Sequence, residues 1–144
     1  MSLFELRTPR DMLEKARREQ QRLSERLDID NLFNFFVTAH HIADYIRKTG
    51  AVAQVAIDTF LQDQDIKDCR DLCDTGKHLN LTQRVDPITY VSSGSYGCGT
   101  YGTRVYGGGG TKWLLLTNVG EVDVGELAVR VLRKWEEFFT THGL

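Results

Sequence analysis

The sequence predicts an α+β fold. The expected architecture is a helical bundle of four to five helices with an antiparallel β-hairpin or meander, at about 79–118, inserted before the C-terminal helix. Three observations carry that expectation. Apolar residues recur at three and four residues through 32–46 and again through 127–139, which is one face of a helix. After Gly76 the period changes to two, with Leu79, Leu81 and Val85 alternating with Asn80, Thr82 and Arg84. Glycine then dominates 93–110, as in a long turn between strands.

The first helix starts at Thr8, an N-cap followed by Pro9 at the first helical position and Asp11 near the exposed amides. From 12 to 27 its apolar residues are sparse: Met12, Leu13, Ala16, Leu23 and Leu27. Arg17, Arg18, Arg22 and Arg26 line the polar side, interleaved with Glu14, Glu19 and Glu25. That pattern reads as a solvated face beside a narrow packing stripe, or as a basic face for RNA phosphates. Asp30 is expected to cap a second helix over 32–48, the most apolar segment of the chain. Leu32, Phe35, Phe36, Ala39, Ile42, Ala43 and Ile46 share its face, and Phe33 and Val37 widen it. Gly50 ends it, with Arg47 and Lys48 in the last turn.

Residues 51–61 predict a third helix or helical turn. A fourth is expected over 65–75, with Ile66, Cys69, Leu72 and Cys73 inward and Gly76 as its cap. Strands are expected at 79–85, 88–92 and 112–117, with a short one at 103–106 inside the glycine-rich tip and a turn at 118–120. The last helix opens with an Asp123 cap and Glu126 at the third position. Its face of Leu127, Ala128, Val131, Leu132, Trp135, Phe138 and Phe139 is expected to pack on the second and fourth helices. No repeat or linker divides the chain, so 1–144 reads as a single domain.

Composition narrows the function classes. The 144 residues are 41% hydrophobic and 26% charged, as in a water-soluble globular domain. A net charge of -2 gives no global basic footprint, which argues against a dedicated duplex-binding protein. The three cysteines include Cys69 and Cys73 one helical turn apart, which is no disulfide framework and points to a reducing cytoplasm. The start is polar from Glu5 onward and no apolar run is long enough to span a bilayer, so neither a secretory signal nor a membrane partner is expected.

Residues 69–81 hold the densest cluster of reactive side chains. Arg70 and His78, with Asp71 to orient them, suit RNA cleavage through the 2′-hydroxyl: the imidazole moves protons and the guanidinium steadies the phosphorane. The plain alternative is an Arg70–Asp74 surface pair, with His78 covering the last helical carbonyls. His40 and His41 form a second candidate, with Asp44 and Tyr45 one turn on. If the second and fourth helices pack antiparallel, one of these histidines lies near Arg70 or His78. Cys69 and Cys73 with His40, His41 or His78 would favour Zn²⁺. Thiols at this spacing among Ile66 and Leu72 read instead as small core residues, and no metal is expected. Gly97 to Gly102 spells a formal G-x-G-x-x-G, but the glycines of 107–110 preclude the helix that must follow. No nucleotide cofactor is expected. Tyr96, Tyr101 and Tyr106 in the tip can stack on bases or a partner surface, or pack on their own loop.

A helical domain with Arg70-Asp71 near the end of a late helix and His78 shortly after resembles HEPN domains. That resemblance implies a four- to five-helix domain, often dimeric, and in many members a metal-independent RNase of toxin–antitoxin or phage-defence systems. It implies Arg70 as phosphate stabiliser, Asp71 as orienter and His78 as acid and base. Seven residues separate Arg70 from His78, a longer spacing than is usual in that family. Asn34-Phe-Phe-Val-Thr-Ala39 and Gly76-Lys-His78 also resemble a helix and a turn shared by small bacterial proteins without an assigned activity. Two functions are therefore carried forward: an RNase acting as a homodimer, and a non-catalytic assembly protein that works through the hairpin tip.

Overall fold

The computed structural model describes residues 5–78, 88–92, 112–117 and 120–144, with side chains outside that description at 76–78 and 90–92. The described residues form five helices and a three-stranded antiparallel sheet that precedes the last helix. The helices are α1 (Pro9–Glu25), α2 (Ile29–Thr49), α3 (Gln54–Phe60), α4 (Gln64–His78) and α5 (Val124–His142). The strands are β1 (Ile88–Ser92), β2 (Lys112–Thr117) and β3 (Gly120–Asp123). The predicted α+β bundle is the observed one.

The caps explain most of the boundaries. Thr8 accepts from the Asp11 amide at 3.1 Å, while Asp11 accepts from the Thr8 amide at 2.9 Å, so two orphan donors are satisfied reciprocally. Gly50 closes α2 in the left-handed region at φ 64, which a side chain would strain. Asp123 accepts from the Glu126 amide at 3.1 Å and starts α5. Two boundaries differ from expectation. Asp28, not Asp30, caps α2: its extended backbone aims the carboxylate at the Asn31 amide, 2.8 Å away. Asp30 falls instead in the first turn, where an acid favours the helix dipole. Gly76 does not end α4, which continues to His78. Glycine costs a helix only about 1 kcal/mol against alanine, too little to stop one by itself. The Gly76–His78 segment is therefore helical and not a turn.

The core is one cluster fed by α1, α2, α3, α4, β2 and α5. Phe35, Ile42 and Ile46 of α2 and Leu127, Val131 and Trp135 of α5 are buried, as their periodicity predicts. Leu27, expected in the α1 stripe, lies past the helix end and is exposed. Lys15 of α1 donates to Thr38 of α2 at 2.9 Å, and Tyr45 of α2 donates to the Leu6 carbonyl at 3.2 Å, so the two run antiparallel. The last helix packs on α1 and α4 as well as α2. Arg17 reaches Glu136 at 2.9 Å, and Lys134 bridges Asp63 and Asp65 at 2.8 and 2.7 Å. The short α3 has no side-chain cap and is pinned by Ile57 and by Phe60, whose ring lies 4.5 Å from Trp135.

The sheet order is β1-β2-β3, with Ile88 opposite Leu116 and Leu115 opposite Val122. Leu115 turns inward and is buried, while Leu116 turns outward, as alternation requires. The meander extends beyond the expected end at 118. Gly120, at φ 126, opens β3, and Thr117 donates to its carbonyl at 2.8 Å. A four-residue strand reading Gly-Glu-Val-Asp has too little apolar content to announce itself. The expected strands at 79–85 and 103–106 and the tyrosine-rich tip lie outside the described residues. No described helix is long and apolar enough to cross a membrane.

Candidate functional site: the seam between α2 and α4

The candidate residues converge where α4 lies along α2. Two successive rungs define the alignment. Cys69 Sγ lies 3.7 Å from the Phe36 carbonyl, and one turn further His40 Nε2 lies 4.0 Å from Asp74 Oδ1. Residue numbers rise together along both helices, so α2 and α4 run parallel, not antiparallel as the sequence reading considered. Residues 51–63, including α3, connect the two helices. A parallel alignment still brings one histidine to the reactive part of α4, and that histidine is His40.

Arg70 sits one turn before Asp74 on α4. Its guanidinium pairs with the adjacent Asp71, with Nε and Nη2 both 3.0 Å from Oδ1, and not with Asp74 as the plain surface reading had it. About a third of the Arg70 side chain and a quarter of Asp71 are open to solvent, 35% and 25%. A guanidinium held by a neighbouring carboxylate, with donors still facing water, is suited to an incoming phosphate oxygen. His40 and Asp74 are similarly about a quarter open, at 27% and 22%. At 4.0 Å they attract only while the imidazole is protonated.

His41 points elsewhere. Its Nδ1 lies 2.7 Å from the Val37 carbonyl, a bond back into its own helix, and its ring meets His40 edge-on at 5.8 Å. His78 belongs to the last turn of α4, and its side chain lies outside the described residues. Because α4 is continuous, helical rise alone sets its Cα about 12 Å along the axis from that of Arg70.

The two cysteines share a helix face but have different surroundings. Cys69 is buried against α2, and burial, then the nearby Cys73, Asp68 and Asp74, push its thiol well above the ordinary thiol range. That is a packing residue. Cys73 is fully buried too, yet its Sγ, His40 and Asp74 each place a ligand atom within 4.8 Å of the others. The sequence reading assigned Cys73 to the core, and its packing agrees; its nearness to His40 depends on the pairing of two helices and has no local signal. No local pattern in the sequence marks Asp68. It is buried, burial raises its carboxyl above the usual range, and Gln64 donates to it at 2.9 Å.

The arginines of α1 answer a separate expectation. Arg17 pairs with Glu14 and Glu136, Arg22 with Glu19, and Arg26 with Asp28. Three of the four arginines of that face are thus paired with carboxylates, which favours the solvated reading over an RNA-binding one. Compared with protein-family models, curated proteins and solved structures, the chain matches none of them.

Proposed function

We propose that this chain cleaves RNA through the 2′-hydroxyl, as its resemblance to HEPN domains implies. The observation that carries the reading is Arg70: a cation fixed by Asp71 at 3.0 Å, part-exposed, on the helix that also bears His78. Arg70 would bind the scissile phosphate and steady the charge of the phosphorane. His78 would take the 2′-hydroxyl proton and return one to the leaving 5′-oxygen. Asp71 orients the guanidinium, and His40 lies one turn further along the seam beside Asp74, outside the proposed chemistry.

A rise of about 12 Å between Arg70 and His78 is too long for one phosphate within one helix. A two-fold axis crossing α4 near Asp74, midway between them, sets each Arg70 against the His78 of a second copy. The proposed enzyme is therefore a homodimer with composite sites. The test is complementation. Arg70→Ala and His78→Ala proteins should each be inactive on single-stranded RNA, and mixing them should restore activity. Two inactive variants that stay inactive when mixed, with dimer exchange verified, reject the composite site. Wild-type activity retained in His78→Ala rejects the assignment altogether.

The second reading, a non-catalytic assembly protein, has one observation in its favour. Ile88 and Leu116 face each other across β1 and β2 and are both exposed, 59% and 44%, making an apolar pair on the outer face of the sheet. Assembly through the hairpin predicts that deleting 93–110 leaves helix content unchanged but yields monomers in sedimentation. Unchanged assembly removes this reading.

A further inference from the structure

The geometry points to a divalent-cation site of the zinc class, formed by His40 of α2 with Cys73 and Asp74 of α4. The three ligand atoms already lie within 4.8 Å of one another. Zinc bonds of about 2.0–2.3 Å in a tetrahedron set ligand atoms about 3.5 Å apart, so small side-chain rotations close the site. The donor set is mixed: one imidazole, one thiol and one carboxylate. Thiol and imidazole select against the hard oxygen-seeking cations and favour Zn²⁺ or its spectroscopic substitute Co²⁺. This differs from an ordinary surface cluster of acids, because its thiol is sealed in the core while His40 and Asp74 reach solvent at 27% and 22%. The thiol would bind from the core side and His40 and Asp74 from the solvent side, and a water would complete the tetrahedron.

The second cysteine is not part of the site. Cys69 lies one turn back with its Sγ at the Phe36 carbonyl, 3.7 Å away. Binding requires the Cys73 thiol to release its proton to solvent, after which thiolate sulfur, neutral imidazole nitrogen and carboxylate oxygen each donate a pair to the metal. The ion ties α2 to α4 one turn past Arg70. It acts as a fastener of the seam and supplies no step of the proposed RNA chemistry, so the two proposals stand or fall separately.

The test uses the full untagged chain, stripped with chelator and titrated with Co²⁺ under reducing, oxygen-free conditions. The expected result is one equivalent bound, with visible bands of tetrahedral intensity and a thiolate-to-cobalt charge-transfer band. Zn²⁺ should bleach both and raise the thermal midpoint. Cys73→Ser should lose the charge-transfer band, whereas Cys69→Ser should keep it. His40→Gln, at a part-exposed position that leaves the core intact, should weaken binding about tenfold or more. Absence of the charge-transfer band in wild type, or its loss in Cys69→Ser with retention in Cys73→Ser, overturns the site. A cobalt-silent protein that still cleaves RNA in chelator overturns the metal site alone. A protein with the bands but without RNA cleavage supports the site and rejects only the RNase reading.

Discussion

Replacing Trp135 tests how the bundle is held together. The side chain is 1% exposed, and its ring meets those of Phe60, Phe138 and Phe139 at centroid distances of 4.5, 5.8 and 6.4 Å. Trp135→Ala removes the indole and opens a cavity between α3 and α5, a change that typically costs about 3–5 kcal/mol. Three aromatic contacts, each worth about 0.5–1.5 kcal/mol beyond their area, place the cost at the upper end. For a domain of this size about 2–4 °C is lost per kcal/mol, so the thermal midpoint should fall by about 6–20 °C. Trp135→Phe keeps an aromatic ring in the space and should cost about 1–2 kcal/mol. The effect should also be local. Phe60 pins α3, which lacks a side-chain cap, so the α3 amides should exchange faster with solvent in Trp135→Ala. Thermal unfolding followed by circular dichroism, with hydrogen exchange on the same samples, measures both. If the alanine variant is no less stable than the phenylalanine one, or α3 keeps its protection, the aromatic cluster does not hold the bundle as argued.

Two further predictions concern stability. Asp28→Ala should lower it by about 1 kcal/mol and Asp30→Ala by less, read as shifts of the urea midpoint, because only Asp28 caps α2. The Asp63–Asp65–Lys134–Arg130 network should shape both ends of the pH profile. Burial opposes ionisation of Asp65, but hydrogen bonds from Lys134 and Arg130 outweigh it and hold the carboxyl below its ordinary 3.8. Its stabilisation is therefore present above pH 3.8 and is lost as pH falls through the folded value. Lys134 has the opposite sign. Burial opposes its charge, Asp63 and Asp65 more than compensate, and its amine is held above 10.5. Its contribution is present below pH 10.5 and is lost as pH rises through the folded value. Asp65→Asn should flatten the acid limb of a midpoint-against-pH curve; an unchanged acid limb assigns it to other carboxylates.

Local chemistry made much of the fold legible. Thr8-Pro9 with Asp11, Gly50 after Arg47-Lys48, and Asp123 with Glu126 each announce a helix end through bonds within three or four residues, and each acts as predicted. The buried faces of α2 and α5 follow from spacing alone. Where two local answers competed, the sequence could not choose. Asp28 and Asp30 are both good caps, and Gly76 serves equally as a cap or as one more helical residue. The strand Gly120–Asp123 is too short and polar to show a period, and it exists because β2 offers it a partner.

The candidate site divides along the same line. The Arg70–Asp71 contact joins neighbours in the chain, so it was legible as one of two local alternatives, Asp71 as orienter or Asp74 as surface partner. The approach of His40 to Cys73 and Asp74 joins positions far apart in sequence. It depends on α4 lying parallel to α2, which the length and course of residues 51–63 decide and no periodicity encodes.

The measurement closest to the central claim is the identity of the ends left on RNA. Purified chain incubated with a labelled single-stranded RNA in chelator should yield fragments ending in a 2′,3′-cyclic phosphate or its 3′-phosphate hydrolysis product, with free 5′-hydroxyls. Arg70→Ala should leave the RNA intact while retaining the wild-type circular dichroism spectrum. Intact RNA with the wild-type chain, or fragments bearing 5′-phosphates and 3′-hydroxyls, would contradict attack by the 2′-hydroxyl and with it the role given to Arg70 and His78.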